Sequence, residues 1–210
     1  RDLRMSRGLG DVYKRQTGYM ANLGVLYALA GKGDVIFSDE LNHASIVDGC
    51  RISKAETAVY RHSDMADLER LLQTVPCEGQ RFIVTDGVFS MDGDICPLPA
   101  LAELKKDYRA CLIVDDAHAS GVIGRTGRGT AEYFRMAGID VQVGTLSKAF
   151  GAEGGYIAAS WEICDYLRNT SRPFIFSTAI SAVTGAAALA ALRLLSLIHI
   201  SEPTRHAQIS

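Results

Sequence analysis

The chain has 210 residues, 48% of them hydrophobic, with 22 basic and 24 acidic side chains and a net charge of -2. That is enough apolar material for one sizeable core, and a near-balanced charge without a long basic tract gives nucleic acid and anionic membrane surfaces little to hold. Five cysteines, Cys50, Cys77, Cys96, Cys111 and Cys164, are odd in number and never spaced C-x-x-C. They argue against a disulfide framework and a structural zinc site, and for a reducing cytoplasm.

Residues 1–16 show no sustained period and carry five basic against two acidic side chains. Both they and residues 196–210 look like translated adapter sequence and are expected to lie outside the fold, leaving 17–195 as an incomplete large domain. On that expectation the strand that should precede Gly18 is missing and one sheet edge is left unpaired. Gly18 to Ala30 is expected to be helical and to break at Gly31-Lys-Gly33. A strand over 34–38, a helix over 44–54 and a strand near 58–60 follow. Asp64 is placed to cap a helix whose Met65, Leu68, Leu71 and Leu72 share one face. Strands are expected at 81–86 and 111–116, with an amphipathic helix between them marked by Leu98, Leu101, Leu104 and Tyr108. Val141 and Val143 alternate with polar neighbours as a further short strand does. The stretch from Ala179 to Ile200 is interrupted by Ser181, Thr184, Gly185 and Arg193, so it is expected to be a buried Ala-rich helix and not a membrane span.

Strand and helix alternating at this spacing predict an α/β fold with a mostly parallel sheet flanked by helices. Ligands in such folds sit beyond the carboxyl ends of the strands. The residues expected there are Asp39 to His43, Asp86 to Ser90, Asp115 to His118 and Thr145 to Lys148. Lys148 presents one amine at a strand end among small hydroxyl residues, and lysine forms Schiff bases with carbonyl compounds. Asp115 ends an apolar strand, where a carboxylate needs a charged or well-bonded partner such as a protonated ring nitrogen. His118 lies three residues on, Asp116 is expected to face the other way, and Gly18-Tyr19 opens a helix whose free N–H groups suit a phosphate. An amine, a carboxylate, a flat contact and phosphate donors are what pyridoxal phosphate requires.

Taken together, Thr17-Gly-Tyr-Met-Ala-Asn22, Leu41-Asn-His-Ala-Ser45, Asp86-Gly-Val-Phe-Ser-Met-Asp-Gly-Asp94, Asp115-Asp-Ala-His118, Gly127-Arg-Gly129 and Gly144-Thr-Leu-Ser-Lys-Ala-Phe-Gly151 closely resemble the α-oxoamine synthases. The resemblance covers about residues 17–195. It implies a fold-type-I, pyridoxal-phosphate-dependent acyltransferase that condenses glycine or a similar amino acid with an acyl-CoA. It also implies a homodimer with shared active sites. By position, Lys148 matches the Schiff-base lysine, His43 the residue stacked on the cofactor ring, and Asp115 the partner of its nitrogen. Ser90, His118 and Thr145 match cofactor contacts, Gly18 and Tyr19 the phosphate-side backbone, and Ser177 and Thr178 a pair contributed to the neighbouring subunit. Within the family the motifs look most like the glycine C-acetyltransferases, with the 8-amino-7-oxononanoate synthases second. A class I/II aminotransferase would use the same lysine and aspartate, an inactive partner subunit would usually lack the lysine, and a metal hydrolase built from His43, Asp115, Asp116 and His118 is the weakest alternative. No metal is expected.

Overall fold

The structure, a computed structural model, describes residues 11–15 and 17–201, and the side chains of residues 17–195. Seven strands form one sheet: β1 (Asp11–Arg15), β2 (Val35–Asp39), β3 (Glu56–Tyr60), β4 (Arg81–Asp86), β5 (Cys111–Asp115), β6 (Val141–Thr145) and β7 (Gly155–Ala159). Their spatial order is β1-β7-β6-β5-β4-β2-β3. The pairs from β3 to β6 are parallel, and β7 runs antiparallel to both β6 and β1.

Alternation along the central strands fills two cores. Ile36, Phe82, Val84 and Ile113 point to one face, where they meet Ala21, Val25 and Leu26 of α1 (Gly18–Leu29), Ile46 and Cys50 of α2 (Ala44–Ile52), and Cys164 and Leu167 of α6 (Trp161–Thr170). Val35, Phe37, Ile83, Leu112 and Val114 point to the other, against Leu68 and Leu72 of α3 (Met65–Thr74) and Leu98 and Leu101 of α4 (Leu98–Asp107). Strands buried on both faces are what a parallel sheet demands, and each large side chain so buried contributes roughly 1.5–3 kcal/mol before entropy is counted. Asp64 caps α3 by accepting from the Asp67 N–H, as its position predicts, and Thr17 caps α1 through Met20.

Three expectations are corrected. The strand thought to be missing before Gly18 is present: Asp11–Arg15 pairs with β7 over five residues, so that β7 is covered on both sides. The stretch after Ala179 forms α8 (Ala182–Ser201), which continues past Leu195. Its described side chains, up to Leu195, are not buried: Val183, Leu189 and Leu194 are exposed, while Ala188, Ala191, Leu192 and Leu195 pack against Leu146, Phe150 and Tyr156. One apolar stripe suffices to dock a helix on a small patch, and nothing in the described residues covers the rest. The remaining helices, α5 (Thr130–Tyr133) and α7 (Arg172–Ile175), are single turns. No described helix is long and apolar enough to cross a membrane.

Candidate active site

From β2 the chain turns one way to β3 and, through β4, the other way to β5 and β6, so a crevice opens beyond the carboxyl ends of β2 and β4. Asn42 bridges it. Its amide donates to the Val84 carbonyl at 2.8 Å, and its side-chain oxygen accepts the Asp86 N–H at 2.8 Å. Next to it the His43 N–H donates to Asp86 Oδ2 at 2.8 Å. The turn that begins α2 is therefore tied to the end of β4, and His43 stands over the edge with an exposed ring.

Asp86 and Asp115 are paired residues on neighbouring strands, and both are buried. Burial and the Asp115 charge push the Asp86 carboxyl up to about 8, against the lowering effect of the His43 N–H and the Lys148 charge. Asp115 is better provided for: Oδ1 accepts the Ala117 N–H at 2.9 Å and Oδ2 accepts from the Asn22 amide at 2.6 Å. His118, half-buried, is held below the usual imidazole range by burial and by the charges of Lys148 and His43, with Asp115 pulling the other way. Strand pairing and the His43 bond to Asp86 place His43, Asp86, Asp115, His118 and Lys148 at one edge, close enough to act on one another's charge.

Lys148 sits in the turn between β6 and β7, where its carbonyl accepts the Gly151 N–H at 3.0 Å. The side chain is exposed. The turn carries the amine out over the edge, and the residues around it leave it open. Thr145, at the end of β6, is buried and donates to the Gly154 carbonyl at 3.0 Å, with Ser147 at 2.8 Å. Gly18 faces it. A Cβ on Gly18 would lie 3.2 Å from Thr145 Cβ, tighter than ordinary contact, so glycine lets the first turn of α1 approach the strand end. Because Thr17 takes up the Met20 and Ala21 N–H groups, those of Gly18 and Tyr19 are left at the helix start, where anions bind. The Tyr19 ring itself turns away and donates its hydroxyl to Asp48.

Asp116 does face the other way. It is fully buried and accepts from the Thr130 N–H at 3.0 Å, the Thr130 hydroxyl and the Gln142 amide, with burial raising it to about 6. A Cβ at Gly87, or at Gly129 with its φ of +85°, would run into this carboxylate. Ser90 is exposed in the turn beyond β4. Ser177 follows α7 and donates to the Pro173 carbonyl, and Thr178 is exposed beside it. No described hydrogen bond joins Ser90 or Ser177 to the edge.

Sequence reasoning missed three participants and gave a fourth no role. Asn22 and Ser45 lie within recognised motifs; the bond of Ser45 to His43 is a local cap of α2, but those of Asn22 to Asp115 and Ser45 depend on a packing that no spacing reveals. Asp86 was placed at the ligand edge without a role. His62 was not marked at all, yet it bonds Asp39 at 2.9 Å and Asp94 at 2.7 Å, tying the Ser90 turn to the ends of β2 and β3. The pattern Tyr60-Arg-His62 at a strand end was the available signal. Among the described residues no group of three or more His, Cys, Asp or Glu is placed to hold a metal.

A family model described as aminotransferase class I and II matches residues 16–206. The chain is 54% identical over 183 residues to the 8-amino-7-oxononanoate synthase of Thermoanaerobacter pseudethanolicus, covering 86% of this chain and 46% of that one. It is 58% identical over 179 residues to that of Geobacter sulfurreducens, covering 85% and 46%. Its fold matches serine palmitoyltransferase from S. paucimobilis with bound PLP at a TM-score of 0.89 and 37% identity, covering 94% of this chain and 50% of the other. The crystal structure of 8-amino-7-oxononanoate synthase from Francisella tularensis matches at 0.78 and 36%, covering 90% and 54%. The chain thus spans about half the length of these relatives. The expectation of a glycine C-acetyltransferase is not supported, since these relatives carry other names. The motifs behind it surround Lys148 and His43, which any choice of acyl group would share.

Proposed function

We propose that this chain, which belongs to the aminotransferase class I and II family, is the cofactor-binding part of a pyridoxal-phosphate-dependent 8-amino-7-oxononanoate synthase. The observation that carries this reading is the convergence of a lysine, a bonded carboxylate, two histidines and a helix start on one sheet edge. Pyridoxal phosphate fits these residues: Lys148 for its aldehyde, Asp115 for its ring nitrogen, the His43 ring for its face, and Gly18, Tyr19 and Thr145 for its phosphate. His118 and Ser90 complete the contacts around the ring. When bound, the cofactor supplies a ring that can hold the electron pair left at an amino acid's α-carbon.

The chain's own residues then divide the work. The Lys148 amine takes the α-carbon proton and returns one to the product, as a general base and acid. Asp115, held by Asn22 and the Ala117 N–H, faces the ring nitrogen and keeps it protonated. The product's name fixes the balance: nine carbons with a ketone at C7 and an amine at C8. A seven-carbon dicarboxylic acyl group joins through its thioester carbon to the α-carbon of alanine, the alanine carboxyl leaves as carbon dioxide, and the thiol is released. The exposed Thr178 and Phe176, with the half-buried Ser177 between them, suit a second copy, giving a homodimer in the cytoplasm with shared sites.

The test is CoA release by the intact protein with pyridoxal phosphate. Turnover with alanine and a seven-carbon dicarboxylic acyl-CoA exceeding that with glycine and acetyl-CoA supports the reading. Amino transfer to an oxo acid without CoA release would overturn it.

A further inference from the structure

The two residues assigned to the cofactor ring, Asp115 and His43, are joined through the protein. Asn22 is buried, and its amide nitrogen lies 2.6 Å from Asp115 Oδ2 and 2.8 Å from Ser45 Oγ. Ser45, also buried, places that hydroxyl 2.7 Å from His43 Nδ1. The Ser45 backbone N–H points at the same ring nitrogen at 3.2 Å.

The hydrogens along this chain are determined by what each group can do. Both Asp115 oxygens accept, Oδ1 from the Ala117 N–H and Oδ2 from Asn22, so the Asn22 group facing Asp115 is the amide NH2, which fixes the orientation of that side chain. The second amide hydrogen goes to Ser45. A hydroxyl that accepts from Asn22 has its own hydrogen left to give, and Nδ1 of His43 is there to take it. The backbone N–H of Ser45 can only donate. Two donors therefore meet on Nδ1, which must be the unprotonated nitrogen.

We propose that Asn22 and Ser45 are positioning residues that set the His43 proton on Nε2 and lock the orientation of its ring to that of the Asp115 carboxylate. His43 then presents a single donor, Nε2–H, directed away from Ser45, and the Nδ1 lone pair is already engaged by Ser45. A partner on one ring nitrogen fixing the state of the other is a general property of histidine. The same relay gives Asp115 a donor that is not the cofactor, so its carboxylate is oriented before any ring nitrogen arrives. The roles of Asp115 and His43 in this inference rest on the proposed function; the proton placement does not.

The experiment is a long-range 1H–15N correlation of the intact, cofactor-free protein labelled at histidine, with His43 assigned by its loss in His43→Gln. At a pH where the ring is neutral, the expected spectrum has Nδ1 unprotonated and Nε2 protonated, in one tautomer. Ser45→Ala leaves only the longer backbone bond and is expected to give a mixture of tautomers, and Ser45→Thr, which restores the hydroxyl, to return the single form. A proton on Nδ1 in the unsubstituted protein overturns the proposal without any variant having to fold. A Ser45→Ala spectrum identical to the original overturns the role of the hydroxyl relay. Because no cofactor is present, failure of acyl transfer with Nε2–H intact counts against the proposed function alone, and the wrong tautomer with acyl transfer intact counts against the relay alone.

Discussion

The two sides of β5's carboxyl end hold adjacent carboxylates in opposite surroundings. On the closed side Asp116 is fully buried, with Thr130 and Gln142 supplying three donors and Gly87 and Gly129 leaving just enough room. On the open side Asp115 has two donors, a second carboxylate on the next strand, and an exposed lysine and a half-buried histidine within electrostatic reach. A buried charge whose lone pairs are satisfied within the chain is structural; one left with capacity facing a crevice is available to a ligand.

Substitutions should separate the two sides. Lys148→Ala removes the proposed base from an exposed position, so the intact enzyme should lose roughly 10²–10⁴-fold in turnover with an unchanged melting temperature. Asp115→Asn keeps the shape and can still accept the Ala117 N–H, but it gives up a charge-assisted bond of about 1.5–3 kcal/mol. The expected loss is about 10–150-fold in turnover, and because its new NH2 meets the single Asn22 donor, against the Thr130 and Gln142 donors around Asp116, the denaturant midpoint should fall less than for Asp116→Asn. Asp116→Asn should do the reverse. Its new NH2 group meets donors, so stability falls by about 1–3 kcal/mol while turnover per folded molecule is largely kept. Equal effects of the two Asp→Asn changes on both readouts would erase the distinction.

A smaller effect is expected from pH. Burial and Asp115 raise Asp86 above its unfolded range, to about 8, so its contribution is greatest when protonated and is lost as pH rises through that value. Asp116, raised to about 6, loses its share lower down. His118 acts in the opposite sense: its lowered imidazole costs stability as pH falls below the ordinary histidine range. Above about 6.5 Asp86 acts together with His62, whose imidazole, against the effect of burial, is held above its ordinary range by its bonds to Asp39 and Asp94. Cofactor-free protein should weaken from about 6.5 to 8, and Asp86→Asn should make the curve shallower there without removing the slope, as followed by urea midpoints at stepped pH.

The open side was more legible in the sequence than its supports. Lys148 and Asp115 follow apolar strands, so the end of each strand pointed to them, and β2, β4, β5 and β6 came from runs of β-branched and apolar residues. β7 has only Gly155 to Ala159, after a glycine-rich turn, and its antiparallel direction is a property of the whole sheet. Asp11–Arg15 lacks an apolar period, and its pairing is decided by β7 as a neighbour. Asn22 and Ser45 read as ordinary helix residues until α1 and α2 pack and bring them between Asp115 and His43. Conversely, α8 read as buried because alanine and leucine dominate it, yet burial depends on a covering surface that composition does not supply.

The central claim is that Lys148 on the open edge is the amine that takes the cofactor. The direct measurement is borohydride reduction of the protein incubated with pyridoxal phosphate, followed by peptide mapping. The pyridoxyl group is predicted on Lys148, with labelling weakened by Asp115→Asn and unaffected by Asp116→Asn in folded material. A pyridoxyl group on Lys32 or Lys54, with Lys148 unmodified, would contradict it.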